Sequence, residues 1–202
     1  MQLEPYDSKD GRKVWLSEFE TERLTEYYAD DPQKKLAVEL ALCGLRGDEI
    51  TRVEFGHIRQ LSTEQEAHKL TVPSGKTGHR ETPIGNDTVN TARIYRNAAG
   101  VRKDEPLVDV STKTIRRWVA RAGDDLASKY NDKSGWQYLT THDLRRTWAT
   151  STYYRLNSSP VALDLVMSWG GWEDESVFRS NYLGKEPDEL AVQLMNQAGM
   201  RE

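Results

Sequence analysis

His57-Ile58-Arg59-Gln60-Leu61, His68-Lys69-Leu70-Thr71-Val72 and His79-Arg80-Glu81-Thr82-Pro83-Ile84 are three short β-rich stretches in a chain whose apolar residues elsewhere recur at helical spacing. Ser74-Gly75-Lys76-Thr77-Gly78 supplies a glycine-flanked turn between the last two, which makes them a hairpin. The expected fold is mostly α, an α+β arrangement of helices with one small antiparallel sheet.

Upstream, Ser17-Glu18-Phe19-Glu20 has the form of a capping box, in which the serine and the glutamate three residues on satisfy each other's free N–H groups. It predicts a helix to about Tyr28. Asp31-Pro32 gives the next helix an N-cap and a proline at its first position; Leu36, Leu40 and Cys43 recur on one face, and Gly44 ends it. Gly47 to Val53 reads as a further short helix. Downstream, Asn86 is expected to cap a helix that runs to Gly100. Ser111 caps another, with Ile115, Trp118, Val119, Ala122 and Leu126 on one face and Lys113, Arg116, Arg117 and Arg121 on the others. Thr141 is read as the cap of a helix starting at His142. Ser159-Pro160 opens the one after, Gly170-Gly171 terminates it, and Asp188 to Gln197 forms the last.

With 202 residues, no Pro/Gly-rich linker and no internal repeat, one compact domain over residues 1–202 is the simplest organisation. No apolar run approaches the roughly 18 residues that span a bilayer. The start, Met1-Gln2-Leu3-Glu4-Pro5, has no signal-peptide character, and the single cysteine, Cys43, suits a reducing compartment, so a cytoplasmic location is expected. The net charge of −4 is unevenly spread: −4 over residues 1–40, +1 over 41–100, +4 over 101–160 and −5 over 161–202. A basic middle between acidic ends keeps a phosphate-facing surface possible despite the negative total. The four histidines show no ligand spacing with Cys, Asp or Glu, and no Walker-type loop is present, so no metal and no cofactor is expected.

The chemistry begins at His142-Asp143-Leu144-Arg145. Positions i and i+3 of a helix share a face, which would aim an imidazole and a guanidinium into one site. A capping histidine and a surface arginine would give the same pattern. Arg46, in Gly44-Leu45-Arg46-Gly47-Asp48-Glu49-Ile50, follows a buried-type helix and either pairs with Glu49 or reaches into a site. Lys76 stands in the hairpin turn, where most lysines are merely solvated. Tyr182, in Phe178-Arg179-Ser180-Asn181-Tyr182-Leu183-Gly184, serves equally well as a core residue.

In order and approximate spacing, the Gly44–Ile50 stretch, Gly75-Lys76-Thr77-Gly78-His79-Arg80-Glu81-Thr82-Pro83-Ile84, Thr141-His142-Asp143-Leu144-Arg145-Arg146-Thr147, and Gly170-Gly171-Trp172 followed by Tyr182 resemble the catalytic domain of the tyrosine recombinase (phage integrase) family, from about residue 15 to the end. The resemblance implies an enzyme that cuts and rejoins DNA strands through a transient 3′-phosphotyrosine. Tyr182 would be the nucleophile, with Arg46, Lys76, His142, Arg145 and Trp172 as the other catalytic residues. Trp172 stands where the family usually has histidine; an indole N–H donates but cannot accept, so it can steady a phosphate and nothing more. The resemblance also implies an N-terminal core-binding domain that clamps DNA, and the expectation is that residues 1–202 do not include it.

The residue chemistry supports the same reaction. A free tyrosine titrates near pH ~10 and needs a strongly cationic surrounding to become a nucleophile. Arg46, Lys76 and Arg145 could supply it. Two guanidiniums match the planar geometry of a phosphodiester's non-bridging oxygens, and each such donor is commonly worth ~10²- to 10³-fold in rate. His142 can move a proton near neutral pH, and Lys76 could protonate the departing 5′ oxygen. A phosphotyrosine conserves the phosphodiester energy, so neither ATP nor Mg²⁺ is required. DNA contacts are expected from Arg80, Lys113, Arg116, Arg117 and Arg146. The expected partners are double-stranded DNA and other recombinase protomers in a tetrameric synapse, with no membrane. Two further readings are a DNA-binding regulator of the same fold that does not cut, and a type IB topoisomerase-like enzyme that needs no particular site. The last helix, with Leu190, Leu194 and Met195 as an apolar edge, either folds onto its own domain or, as the resemblance suggests, docks on a neighbouring protomer.

Overall fold

The computed structural model describes residues 1–6, 10–75, 78–130, 135–156 and 158–200. It opens with a hairpin that the sequence does not announce. Strand β1 (Gln2–Pro5) pairs antiparallel with β2 (Arg12–Trp15), Gln2 opposite Trp15 and Pro5 opposite Arg12. The fold therefore has two small antiparallel sheets among the described residues rather than the single one expected. Four-residue strands of mixed polarity carry little local signal, and strand β2 is fixed from outside. The Val14 N–H donates to the Asp143 carboxylate (3.1 Å) and the Leu16 N–H to the Thr147 hydroxyl (3.0 Å).

Several helices begin where the sequence places a capping side chain. In α1 (Glu18–Tyr27) the Ser17 hydroxyl accepts from the Glu20 N–H at 3.3 Å, while Glu20 Oε2 accepts from the Ser17 N–H at 2.8 Å. In α2 (Pro32–Ala41) Asp31 accepts from the Lys34 N–H at 3.1 Å. Helix α3 (Gly47–Ile50) is a single turn, shorter than expected. Strands β3 (Ile58–Gln60), β4 (His68–Gly75) and β5 (Gly78–Ile84) form the three-stranded antiparallel sheet in that order.

Helix α4 (Asn86–Ala99) has Gly85 as its cap. Asn86 is its first residue, and its side chain bonds His68 Nδ1 (3.0 Å) and donates to the Glu66 carbonyl (3.3 Å). Helix α5 (Thr112–Lys129) is capped by Ser111 as expected. Helix α6 (Thr141–Arg155) is capped by Thr140 rather than Thr141, because Asp143 accepts from the Thr140 N–H (2.9 Å) and closes a capping box there. Helix α7 (Ala162–Gly170) is followed by α8 (Glu175–Asn181), a short helix not foreseen, which Asp174 caps, and by α9 (Asp188–Gln197).

The main core gathers around α2, with Leu36, Leu40, Ile50, Ile115, Val119 and Leu126 all buried. A second, smaller cluster holds Trp148, Ala149, Val166, Trp172 and Phe178. Helix α6 serves both, since Leu144 belongs to the first and Trp148 to the second. Gly44 makes the joint between them: its φ is +84°, and a Cβ there would lie 2.5 Å from the Trp148 ring, so only glycine lets the end of α2 press onto α6. Helix α7 packs against β5. Among the described residues no helix is long and apolar enough to cross a membrane.

Candidate active site

Arg145 lies at the centre of the site. It is 1% exposed, and its two terminal nitrogens donate to backbone carbonyls from different parts of the chain, Gly44 at the end of α2 and Gly170 at the end of α7 (2.6 Å to the latter). The Gly170 carbonyl is one of the acceptors that a helix end leaves over, and that of Gly44 lies in the turn after α2. The guanidinium thus ties three helices together and still keeps a buried Nε–H with no acceptor among the described residues. Burial first, then the positive charges of Arg46 and Arg80, hold its pKa below the usual guanidinium value, while Glu49 and Tyr182 pull the other way. An additional anion would be welcome here.

Arg46 combines the two roles open in the sequence. One end pairs with Glu49 (Nη1 to Oε1, 2.8 Å), and the other donates to the Gly171 carbonyl (3.0 Å), which brings it to the end of α7 beside Arg145's partner Gly170. About a third of its side chain remains exposed, at 32%. Glu49 is buried and also accepts from Arg80 (2.8 Å) and from the Arg46 N–H (2.6 Å). One carboxylate therefore orients two guanidiniums, and the i,i+3 spacing from Arg46 is the only local sign of it.

Trp172 and Tyr182 complete the cluster. The Arg145 guanidinium carbon lies 4.1 Å from the Trp172 ring centroid and 5.7 Å from that of Tyr182. The Trp172 and Tyr182 rings meet edge-on at 4.6 Å, and the His142 ring stands 5.0 Å from Tyr182. His142 is exposed and Tyr182 half-buried, so the cluster opens to solvent on that side. The Trp172 indole N–H is buried with no acceptor among the described residues. Gly170 permits this packing, since a Cβ there would lie 1.9 Å from the Trp172 ring. A cleft of about 400 Å³ runs alongside, between His79, Arg80 and Glu81 on β5 and Trp169, Gly171 and Trp172.

The structure thus brings together Arg46, His142, Arg145, Trp172 and Tyr182. Lys76 lies outside the described residues. Two residues expected to contact DNA have their side chains turned into the domain. Arg146 is buried and pairs with Asp143, its Nε donating to the Asn181 carbonyl (2.7 Å), so its charge is neutralised inside the domain. The Arg80 side chain is 7% exposed and pairs with Glu49. Burial holds its pKa down, partly offset by Glu49. Lys113, Arg116 and Arg117 are exposed on α5, whose first residue, Thr112, sits against Gly47 and so next to Arg46. Among the described residues no group of three or more His, Cys, Asp or Glu side chains could hold a metal ion.

Residues 14–189 match the family model described as "Phage integrase family". The chain belongs to the phage integrase family. Solved structures of two recombinases and an integrase share its fold. XerA recombinase superposes with a TM-score of 0.68 at 22% identity, covering 94% of this chain and 66% of that one. XerH site-specific recombinase in a pre-cleavage complex with its difH substrate gives 0.62 at 15%, covering 89% and 53%. A lambda integrase dimer bound to a COC′ core site gives 0.60 at 19%, covering 87% and 49%. This chain therefore spans about half to two thirds of the length of these proteins. No curated protein sequence matches it significantly. Within the integrase fold, the contributions least visible in this sequence are the carbonyls of Gly44, Gly170 and Gly171, because backbone acceptors carry no residue signature.

Proposed function

We propose that this chain is the catalytic domain of a site-specific DNA recombinase that cleaves and rejoins strands through a 3′-phosphotyrosine at Tyr182. The observation that carries this reading is the placement of Tyr182 against Arg145 and Trp172, two groups whose buried N–H donors have no acceptor among the described residues. Buried donors without partners are costly unless an anion completes them. A phosphodiester fits, with two non-bridging oxygens for Arg46, Arg145 and the Trp172 N–H.

The Tyr182 oxygen attacks phosphorus, and its proton passes toward His142, whose ring lies beside it. The P–O bond to the 5′ oxygen breaks as the tyrosyl–phosphorus bond forms, and the 5′ oxygen leaves as a hydroxyl with a proton from Lys76. Attack by the 5′-hydroxyl of another strand reverses each step and restores the phosphodiester. Arg46 and Arg145 stabilise the charge that builds on the non-bridging oxygens, a contribution of ~10²- to 10³-fold for each such donor.

Double-stranded DNA is the proposed substrate and other protomers of this chain the proposed partners, in a tetrameric synapse in the cytoplasm. Support comes from the DNA-bound relatives, and from the exposed row of Lys113, Arg116 and Arg117 on the helix whose first residue sits against Gly47. The test is trapping of a covalent complex on nicked duplex DNA carrying the candidate site. Tyr182→Phe removes only the nucleophilic oxygen, so DNA binding persists and the adduct disappears. An adduct that survives in this variant, or that maps to Tyr153 or Tyr154, overturns the assignment.

A further inference from the structure

The segment that carries Tyr182 is gripped, carbonyl by carbonyl, by the N-terminal hairpin. Helix α8 ends at Asn181, so the carbonyls of its last turn need partners from elsewhere. Lys13 on β2 donates to the Ser180 carbonyl at 2.9 Å, and the Trp15 indole N–H donates to the carbonyl of Tyr182 itself at 2.9 Å. On β1, the Gln2 amide donates to the carbonyls of Lys185 (3.2 Å) and Glu186 (3.3 Å) and accepts from the Lys185 N–H (3.1 Å). The fit is close: a Cβ on Gly184 would lie 3.0 Å from both the Trp15 ring and the Gln2 side chain. From behind, α6 adds the Thr150 hydroxyl on the Tyr182 carbonyl (3.0 Å) and Arg146 on that of Asn181 (2.7 Å).

The same strand holds the other half of the site. The Val14 N–H donates to Asp143, which lies between His142 and Arg145 on α6, and the Leu16 N–H donates to Thr147. Alternate residues of β2 and its continuation thus face two ways, with side chains of Lys13 and Trp15 on the tyrosine segment and the backbone N–H groups of Val14 and of Leu16, just after the strand, on α6. A strand that contacts both fixes the distance between nucleophile and phosphate clamp. Lys13 is 4% exposed, and its ammonium is completed by Glu4 on β1 at 2.9 Å. Burying a lysine to hold a main-chain carbonyl has a desolvation cost that a merely decorative contact would not justify.

We propose that the N-terminal β-hairpin, through Lys13 and Trp15, positions Tyr182 for attack from within its own chain. The inference rests on the recombinase reading for its effect on cleavage, but its structural half is testable without any reaction. In the full chain, Lys13→Met keeps the apolar stem and removes the donor, Trp15→Phe removes the indole N–H, and Lys13→Arg keeps a donor. Three quantities are compared with the parent: amide hydrogen exchange over residues 178–186, DNA affinity, and the single-turnover rate of adduct formation on nicked DNA.

The expected result for Lys13→Met and Trp15→Phe is faster exchange over residues 178–186 while amides of α2 stay protected. Adduct formation should slow by roughly tenfold to a hundredfold, as small misplacements of a reacting group do, with DNA affinity unchanged. Lys13→Arg should recover most of the rate. If Trp15→Phe fails to fold, Lys13→Met decides alone. Unchanged exchange over 178–186 in Lys13→Met overturns the proposal, and so does a loss of DNA affinity that accounts for the whole loss of rate. A parent chain that forms no adduct overturns the recombinase reading instead, while hydrogen exchange still decides whether the hairpin holds the segment.

Discussion

Glu49 carries more of the site than its modest sequence context suggests. Its carboxylate takes Arg46 at 2.8 Å and Arg80 at 2.8 Å, and without it Arg80 would be a charge buried with no counter-ion. Removing one partner of a buried ion pair commonly costs about 3–5 kcal/mol, because the remaining charge is left desolvated and unpaired. Arg46 is partly exposed and adds less to that cost. Glu49→Gln keeps the shape and loses the charge, so it is expected to destabilise the fold by about 3 kcal/mol in chemical unfolding. A loss under ~0.5 kcal/mol, the range of an ordinary surface substitution, would show that Arg80 finds another partner.

Helix α5 presents its apolar row inward and Lys113, Arg116 and Arg117 outward, at i, i+3 and i+4. Replacing Arg116 and Arg117 together with alanine should weaken DNA binding and flatten the salt dependence by about 0.9 in slope for each phosphate no longer neutralised. Unchanged affinity and slope would place this face away from DNA. Helix α9 presents a different case. Val192, Leu194 and Met195 are 38–47% exposed, apolar side chains that its own domain covers only in part. Deleting residues 188–202 is expected to reduce protomer assembly on DNA more than it lowers the melting temperature. If the shortened chain melts far below the parent, the helix is part of its own core after all.

At the scale of the whole molecule, the site straddles a large core and a small one. Arg46 follows α2 in the main core, whereas Trp172 and Tyr182 belong to the small cluster around Phe178. Phe178 is fully buried and touches both, with ring centroids 4.9 Å from Trp172 and 6.5 Å from Tyr182. Phe178→Ala should cost ~3–5 kcal/mol, the usual effect of emptying a buried aromatic site. Much of that loss should stay local: hydrogen exchange should rise across α7 and α8 while α2 and α5 keep their protection, because small clusters open as separate units. Uniform loss of protection would instead mean that the two cores unfold together.

Much of this architecture is written locally and is legible in the chain. Ser17, Asp31 and Ser111 start helices because each side chain satisfies N–H groups two or three residues away, and the apolar row of α5 repeats with the helical turn. The ordered set from Arg46 to Tyr182 likewise identifies the family from sequence, because those residues are read by type and spacing. What the tertiary structure alone decided are contacts between distant parts of the chain. Whether Arg46 pairs with Glu49 or enters the site depends on Gly171, 125 residues away, and it does both. Arg80 and Arg146 look like free cations in sequence but are buried against carboxylates. The N-terminal hairpin is held by Asp143 and Thr147 and in turn holds Tyr182, 167 residues from Trp15. Capping and periodicity act over one or two turns and leave a pattern in the sequence. A carbonyl or carboxylate met across more than a hundred residues leaves none, because any residue can supply the first and many surface positions carry the second.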